Sequence, residues 1–152
     1  MVILARALWS LETLRPDVAE AAFGRSSELG DMAFKFSGHE PMINVYEVGG
    51  KFEPHEDGHD LTVLVPLTSP NDHEQDACVE GSGFDGGGTG FWADGVNAEE
   101  VDDPSVVLRP PAGTALLWRG HVMHAALPVT RGRRHAFVCS FNLTLRSTAD
   151  KL

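Results

Sequence analysis

The sequence predicts a mainly β protein, a β-sandwich or jelly roll with helical support packed on one sheet. Three observations carry that reading. The chain has 152 residues, which suits one domain and leaves little room for two. From Met42 onward, short runs rich in Val, Leu, Phe and Thr alternate with Gly, Pro and Asp, as they do when many short strands are joined by turns. Before Met42 the pattern reads as helical. A mixture of this kind points to stacked sheets with a helical layer outside them.

In chain order, residues 2–14 form a short apolar run that fits a strand or a helix. Pro16 and Asp17 then open a helix with Val18, Ala21, Ala22 and Leu29 on one face and Gly30 as its stop. Strands are expected at 42–48, 61–67, 88–92, 105–108, 114–118, 123–129 and 136–145, with Gly49-Gly50, Pro110-Pro111 and Gly132 as turns. The single domain therefore divides into helical support over 1–41 and a jelly-roll core over 42–146. Residues 69–88 break the spacing with Asp72, Glu74, Asp76, Glu80, Asp85 and a cluster of glycines. A loop of that length in a small domain is a solvated acidic segment or a lid over a site.

Charge removes several classes of function. There are 12 basic and 22 acidic residues, a formal net charge of −10. Such a surface repels phosphate backbones, and the one tight basic group, Arg131, Arg133 and Arg134, is too small to reverse that. No nucleic-acid partner is expected. No apolar run reaches the roughly 20 residues that a membrane helix needs, and the first residues lack the basic region and cleavage site of a signal peptide. The expectation is a soluble cytoplasmic protein with no membrane partner. Cys78 and Cys139 stand in no recurring spacing, so they suggest neither a disulfide framework nor a thiolate zinc site.

The chemistry-bearing residues are histidines and carboxylates. His55 and Asp57 are two apart, and on a strand such a pair projects from one face toward one ion. Alone, the spacing is weak, because a chain with seven histidines supplies such pairs by chance. His124 follows 67 positions after Asp57, in a stretch that a jelly roll can bring to the same mouth. Two imidazoles and one carboxylate make the facial triad of a non-haem Fe(II) site with open coordination positions.

These pieces sit in a longer pattern. Y-x-x-G-x-x-F-x-x-H-x-D runs from Tyr46 to Asp57, and Leu61-Thr62-Val63-Leu64-Val65-Pro66-Leu67 follows. Then come Gly86-Gly87-Gly88-Thr89-Gly90-Phe91, the run from Pro111 to Trp118, and H-x-x-x-P-V-x-x-G-x-R from His124 to Arg134. In that order they resemble the 2-oxoglutarate and Fe(II)-dependent dioxygenase superfamily, in particular its prolyl 4-hydroxylase-like branch. The resemblance implies a double-stranded β-helix with iron on His55, Asp57 and His124. It implies 2-oxoglutarate as cosubstrate, O2 as oxidant, ascorbate as an auxiliary reductant, and hydroxylation of a C–H bond in a peptide or small molecule. Arg134 would pair with the distal carboxylate of 2-oxoglutarate, a role its planar fork suits.

Two departures from the family pattern bear on the cosubstrate. A tyrosine that often helps to bind the distal carboxylate is replaced by Pro66, which donates no hydrogen bond; Thr62, on the same strand, is the expected substitute. Many prolyl 4-hydroxylases use lysine where this chain has Arg134, so the match leans toward arginine-using relatives. Tyr46 is expected beside the cosubstrate or packed under the Gly-Gly turn. His121 is the rival third ligand, with His59 and Asp60 as more distant ones; His39, His73 and His135 read as surface groups. Trp118, Phe91 and Trp92 read as core or pocket wall, and Cys139 as a buried small hydrophobe. The same ligands could hold Zn(II) and activate water, although Gly-x-Arg has no purpose there. The alternative of another class is a jelly-roll module that binds metal and 2-oxoglutarate, or senses them, without turnover.

Overall fold

The computed structural model describes residues 2–23, 32–71, 83–96 and 103–145. Helix α1 (Val2–Leu14) settles the ambiguity of the first apolar run. Its Leu4, Ala7 and Leu8 are buried at helical spacing, and a strand would have put Leu4 and Ala7 on opposite faces. Helix α2 (Pro16–Phe23) starts on proline at its first position. Its early turn is held by Val18 and Ala19 amides donating to the Arg15 carbonyl, and Ala19 is buried. Arg119 Nη2 donates to the Ala21 carbonyl at 2.7 Å, which satisfies an acceptor that the helix end leaves open. The expected continuation to Leu29 and Gly30 lies outside the described residues.

Eleven strands follow among the described residues: β1 (Met32–Phe36), β2 (Met42–Tyr46), β3 (Phe52–His55), β4 (Leu61–Pro66), β5 (Phe84–Gly86), β6 (Thr89–Phe91), β7 (Val106–Leu108), β8 (Leu116–Trp118), β9 (His124–Ala126), β10 (Val129–Gly132) and β11 (Arg134–Leu145). The major sheet runs β1-β11-β4-β8, with β2 also on β11; the minor sheet runs β3-β9-β6-β7; β10 pairs β5. Every pairing between these strands is antiparallel. Strand β11 is the spine. One edge takes β2 over Arg134–Val138 and β1 over Phe141–Leu145, and the other takes β4. The expected mainly β jelly roll with helical support is the fold.

All six residues of β4 are buried, because its two faces meet different partners. Leu61, Val63 and Val65 join Phe137, Cys139 and Phe141 of β11 against Leu4, Ala7, Leu8 and Ala19 of the helices. Each fully buried side chain of this kind contributes roughly 1.5–3 kcal/mol. On the opposite face, Leu64 and Ala136 pack with Trp118 and Phe91.

Several boundaries differ from expectation. The region 1–41 is not helical throughout: β1 lies within it, since Met32, Phe34 and Phe36 alternate onto the helix-facing core, with Phe34 and Phe36 edge-on to Phe141 at 5.2 and 5.8 Å. Gly132 closes a strand instead of marking only a turn. A side chain there would collide with the Gly83 carbonyl across the β5–β10 pair, and its φ is +76°. The segment 69–88 is not a loop throughout either. Pro70 bridges Phe84, and β5 belongs to the β10 pair; residues 72–82, with most of the expected lid, lie outside the described residues. No described helix is long and apolar enough to cross a membrane.

Candidate metal centre and cosubstrate pocket

The sheets bring the two halves of the triad together. His55 ends β3 and pairs with His124, which opens β9, so the register alone sets the imidazoles side by side with ring centroids 4.3 Å apart. Asp57 arrives differently from expectation. β3 stops at His55, and Asp57 lies in the loop beyond it, so two-residue alternation on a strand is not what aims its carboxylate. The loop is fixed by the Asp57 amide donating to the Gly120 carbonyl at 2.9 Å. Gly120 is required there, because any side chain would run into the backbone of His59.

The result is a compact group of three ligand atoms, all within 4.8 Å of one another, the sole such metal-capable group among the described residues. Asp57 Oδ1 lies 3.4 Å from His55 Nε2 and Asp57 Oδ2 lies 3.6 Å from His124 Nε2. Each imidazole is also oriented from behind. Nδ1 of His55 is 2.8 Å from the Glu53 carbonyl, and Nδ1 of His124 is 2.9 Å from the Val122 carbonyl. A carbonyl only accepts, so both Nδ1 atoms carry the proton and both Nε2 lone pairs are left for an ion. Thr62, fully buried, donates its hydroxyl to Asp57 Oδ2 and also contacts Ser140 Oγ at 3.3 Å.

The ionisation states of Asp57 and His124 suit a cation. Burial pushes the Asp57 carboxyl upward, but hydrogen bonds from His55 and Thr62 and the two nearby imidazoles outweigh it, and the net shift is down. Burial lowers His124 and favours its neutral form. His55 is raised, chiefly by its hydrogen bond with Asp57, so a cation would have to displace a proton from its Nε2. A carboxylate and two proton-oriented imidazoles fit Fe(II), which accepts oxygen and imidazole donors.

A cavity of about 420 Å³ runs between the sheets from this group. Met42, Leu64 and Val138 give it an apolar wall; Glu40, Asn44, Lys51 and Thr89 also line it. Trp118 and Phe91 pack near His124, at 4.8 and 6.2 Å between ring centroids. The Trp118 indole nitrogen is buried without a hydrogen-bond partner among the described residues.

Arg134, 2% exposed, leads into β11 opposite Tyr46. Its Nη1 donates to the Gly88 carbonyl at 3.1 Å and its Nη2 to Thr89 Oγ1 at 3.0 Å, and its guanidinium carbon lies 5.2 Å from the Tyr46 ring centre. No carboxylate faces it among the described residues. Burial lowers its pKa, and a buried cation without a counter-ion is costly. A ligand carboxylate would remove that cost, so this end fits the anionic tail of 2-oxoglutarate. Arg133 instead points to solvent and pairs with Glu47 at 2.8 Å.

The other sequence-predicted residues separate clearly. Tyr46 lines the cavity and stacks on Arg134. Thr62 serves Asp57 rather than Arg134, which is a correction to its expected place. The residue beside Arg134 is Thr89, which sequence reasoning missed although it lies within the Gly-Gly-Gly-Thr-Gly run. His121 and His39 are exposed, and His135 is half-buried; none of them is in the ligand group, nor are His59 and Asp60. His59 Nδ1 lies 2.7 Å from the Asp57 carbonyl and braces the same loop. His73 and Cys78 lie outside the described residues.

No curated protein sequence matches the chain. Among solved structures it is similar to "The structure of KdgF from Halomonas sp.", at TM-score 0.37 and 14% identity, over 84% of this chain and 89% of that one; a likeness so loose does not bear on the site. The sequence profile of the 2OG-Fe(II) oxygenase superfamily matches residues 41–142, a stretch that contains His55, Asp57, His124 and Arg134 and runs from the start of β2 into β11. The chain belongs to the 2OG-Fe(II) oxygenase superfamily.

Proposed function

We propose that this protein is an Fe(II)- and 2-oxoglutarate-dependent dioxygenase of the prolyl 4-hydroxylase-like kind, hydroxylating a C–H bond and releasing succinate and CO2. One observation carries the reading: a buried arginine that no carboxylate faces among the described residues sits against Tyr46 and Thr89, which line the same cavity as two imidazoles and a carboxylate. Those two features mark the two ends of one small dianionic ligand.

Bound Fe(II), with 2-oxoglutarate and O2, supplies the oxidising chemistry. The chain supplies the geometry. His55, Asp57 and His124 hold the metal and leave its remaining positions open. Asp57 argues for hydroxylation, since a halogenase of this kind needs that carboxylate replaced by a small residue. Arg134 fixes the far carboxylate in a planar fork, with the Tyr46 face stacked against it. Trp118, Phe91 and Leu64 exclude water from the wall of the site. Substrate approaches along the edges of β2 and β3, where Glu40, Lys51 and Phe52 line the cavity. A prolyl peptide is the first substrate class to try, and small metabolites are the second. Ascorbate is expected to sustain turnover, and the site of action is the cytoplasm.

The test is oxygen-dependent succinate release by the Fe(II)-loaded protein over a panel of proline peptides and small metabolites. Stimulated release with a hydroxylated peptide supports the reading in full. Release stimulated only by a small molecule moves the substrate class, and no oxygen-dependent release under any condition favours the non-catalytic binding module.

A further inference from the structure

We infer that Glu40 selects a positively charged primary substrate, an ammonium or guanidinium compound, at the end of the cavity opposite Arg134. The inference rests on the dioxygenase reading above and names a substrate class for it. Glu40 is half-buried and lines the cavity. It sits at a gap in the major sheet. On one edge of β11 the pairing with β2 ends at Val138 and the pairing with β1 begins at Phe141. Within that gap the Ser37 amide donates to the Ser140 carbonyl at 2.9 Å, and Glu40 Oε2 accepts from the Ser140 amide. The carboxylate is thus held in place by one oxygen, and among the described residues no cation pairs with it. Lys51 also lines the cavity, but its ammonium pairs with Glu53 at 2.7 Å.

Two fixed charges of opposite sign therefore mark the two ends of the site. Arg134 opens β11, and Ser140, where Glu40 is anchored, lies about 20 Å further along the same strand. A dianionic cosubstrate suits the arginine end and is repelled from the glutamate end. What Glu40 favours is a second reactant of the opposite charge. The carboxylate is also close to the metal ligands. Ser140 Oγ lies 3.3 Å from Thr62 Oγ1, and the Thr62 hydroxyl donates to Asp57 Oδ2, so two side chains separate the anchor of Glu40 from a metal ligand. A formal net charge of −10 draws cations toward such a mouth. Closing the gap in the sheet does not call for a charge, since an amide carbonyl would accept from Ser140 equally well.

The test is calorimetric titration of the protein loaded with Mn(II) and 2-oxoglutarate. The probes are matched pairs that differ in charge: arginine with citrulline, and lysine with Nε-acetyllysine, each as the free amino acid and within an N-acetylated prolyl peptide amide. The charged member of at least one pair is expected to bind about tenfold or more tightly than its neutral partner, the gain that follows from a hydrogen bond between charged groups. Glu40→Gln should bring the two members within about twofold of each other while leaving 2-oxoglutarate affinity and melting temperature unchanged. Glutamine keeps the acceptor for the Ser140 amide, so a role confined to the strand gap would leave the preference intact. Absence of any preference for charge in the wild type, or an undiminished preference in Glu40→Gln, overturns the role of Glu40 alone. The wild-type comparison decides by itself if the glutamine protein folds poorly. A Mn(II)-loaded wild type that does not bind 2-oxoglutarate overturns the dioxygenase reading, and the role of Glu40 with it.

Discussion

The two faces of the β4–β11 pair are made from alternating residues of the same strands, yet they do different work. Toward the helices they present Leu61, Val63, Val65, Phe137, Cys139 and Phe141, a wholly apolar set. Toward the cavity they present Thr62, Leu64, Ala136 and Val138, with buried Arg134 and Ser140 at the two ends. The outer face gains stability from burial, and the inner face spends some of it on buried polar groups. A substitution on one face should therefore register in stability, and one on the other in ligand affinity.

The largest expected separation compares His124→Ala with Phe141→Ala. Removing the imidazole should weaken metal binding by more than about 100-fold, since loss of a supporting outer partner alone costs about 10–100-fold; its melting temperature in the metal-free state should move little. Phe141→Ala should cost about 3–5 kcal/mol of folding stability while leaving metal affinity intact in the fraction that is folded. Denaturant unfolding and Co(II) titration, run on both proteins, read the two axes. If both variants lose stability and affinity in proportion, the faces are not separable.

Thr62→Val tests the border between the faces. It keeps shape and burial but frees the Asp57 carboxylate, and metal affinity should fall about 10–100-fold, with Thr62→Ser restoring it. An affinity unchanged in the valine protein would mean that the Thr62 hydroxyl does not orient Asp57. Smaller still is the expectation for Cys139, whose thiol is pushed up to about 12 by burial and then by Glu40. The folded state keeps that proton at pH values where the unfolded chain gives it up, so stability from this group is lost as pH rises from about 9 toward 12. At pH 8 the native thiol should resist iodoacetamide until denaturant is added, and rapid labelling of Cys139 in the native protein would contradict its burial. Arg133→Ala should be the quietest change, at most about 1 kcal/mol, because its pair with Glu47 is exposed.

The two faces also differ in how far the sequence reveals them. The outer face is legible as periodicity: Leu4, Ala7 and Leu8 on a helix, and the alternation of β4. The strand β1 was hidden because Phe34 and Phe36 gain their partner, Phe141, only from a chain segment more than a hundred residues away. On the inner face, the grouping of His55, Asp57 and His124 into one metal-capable cluster was expected from spacing and family pattern. What spacing does not reveal is which hydroxyl meets which charge. Thr62 and Thr89 are both threonines in short strands, and only the register of β4 on β11 and of β6 on β9 assigns one to Asp57 and the other to Arg134. Asp57 itself was placed on the right side for another reason, since a loop held by the Gly120 carbonyl aims it, and such a contact across 63 positions leaves no local signal.

The most direct test of the account is anaerobic addition of Fe(II) and 2-oxoglutarate to the wild-type, His124→Ala and Arg134→Ala proteins, followed by visible absorption. The account predicts a metal-to-ligand charge-transfer band in the wild type and none in His124→Ala. In Arg134→Ala the band should appear only at much higher 2-oxoglutarate concentration. A wild-type protein that gives no band, or an Arg134→Ala protein that titrates like wild type, would contradict a site with iron at one end and a carboxylate clasp at the other.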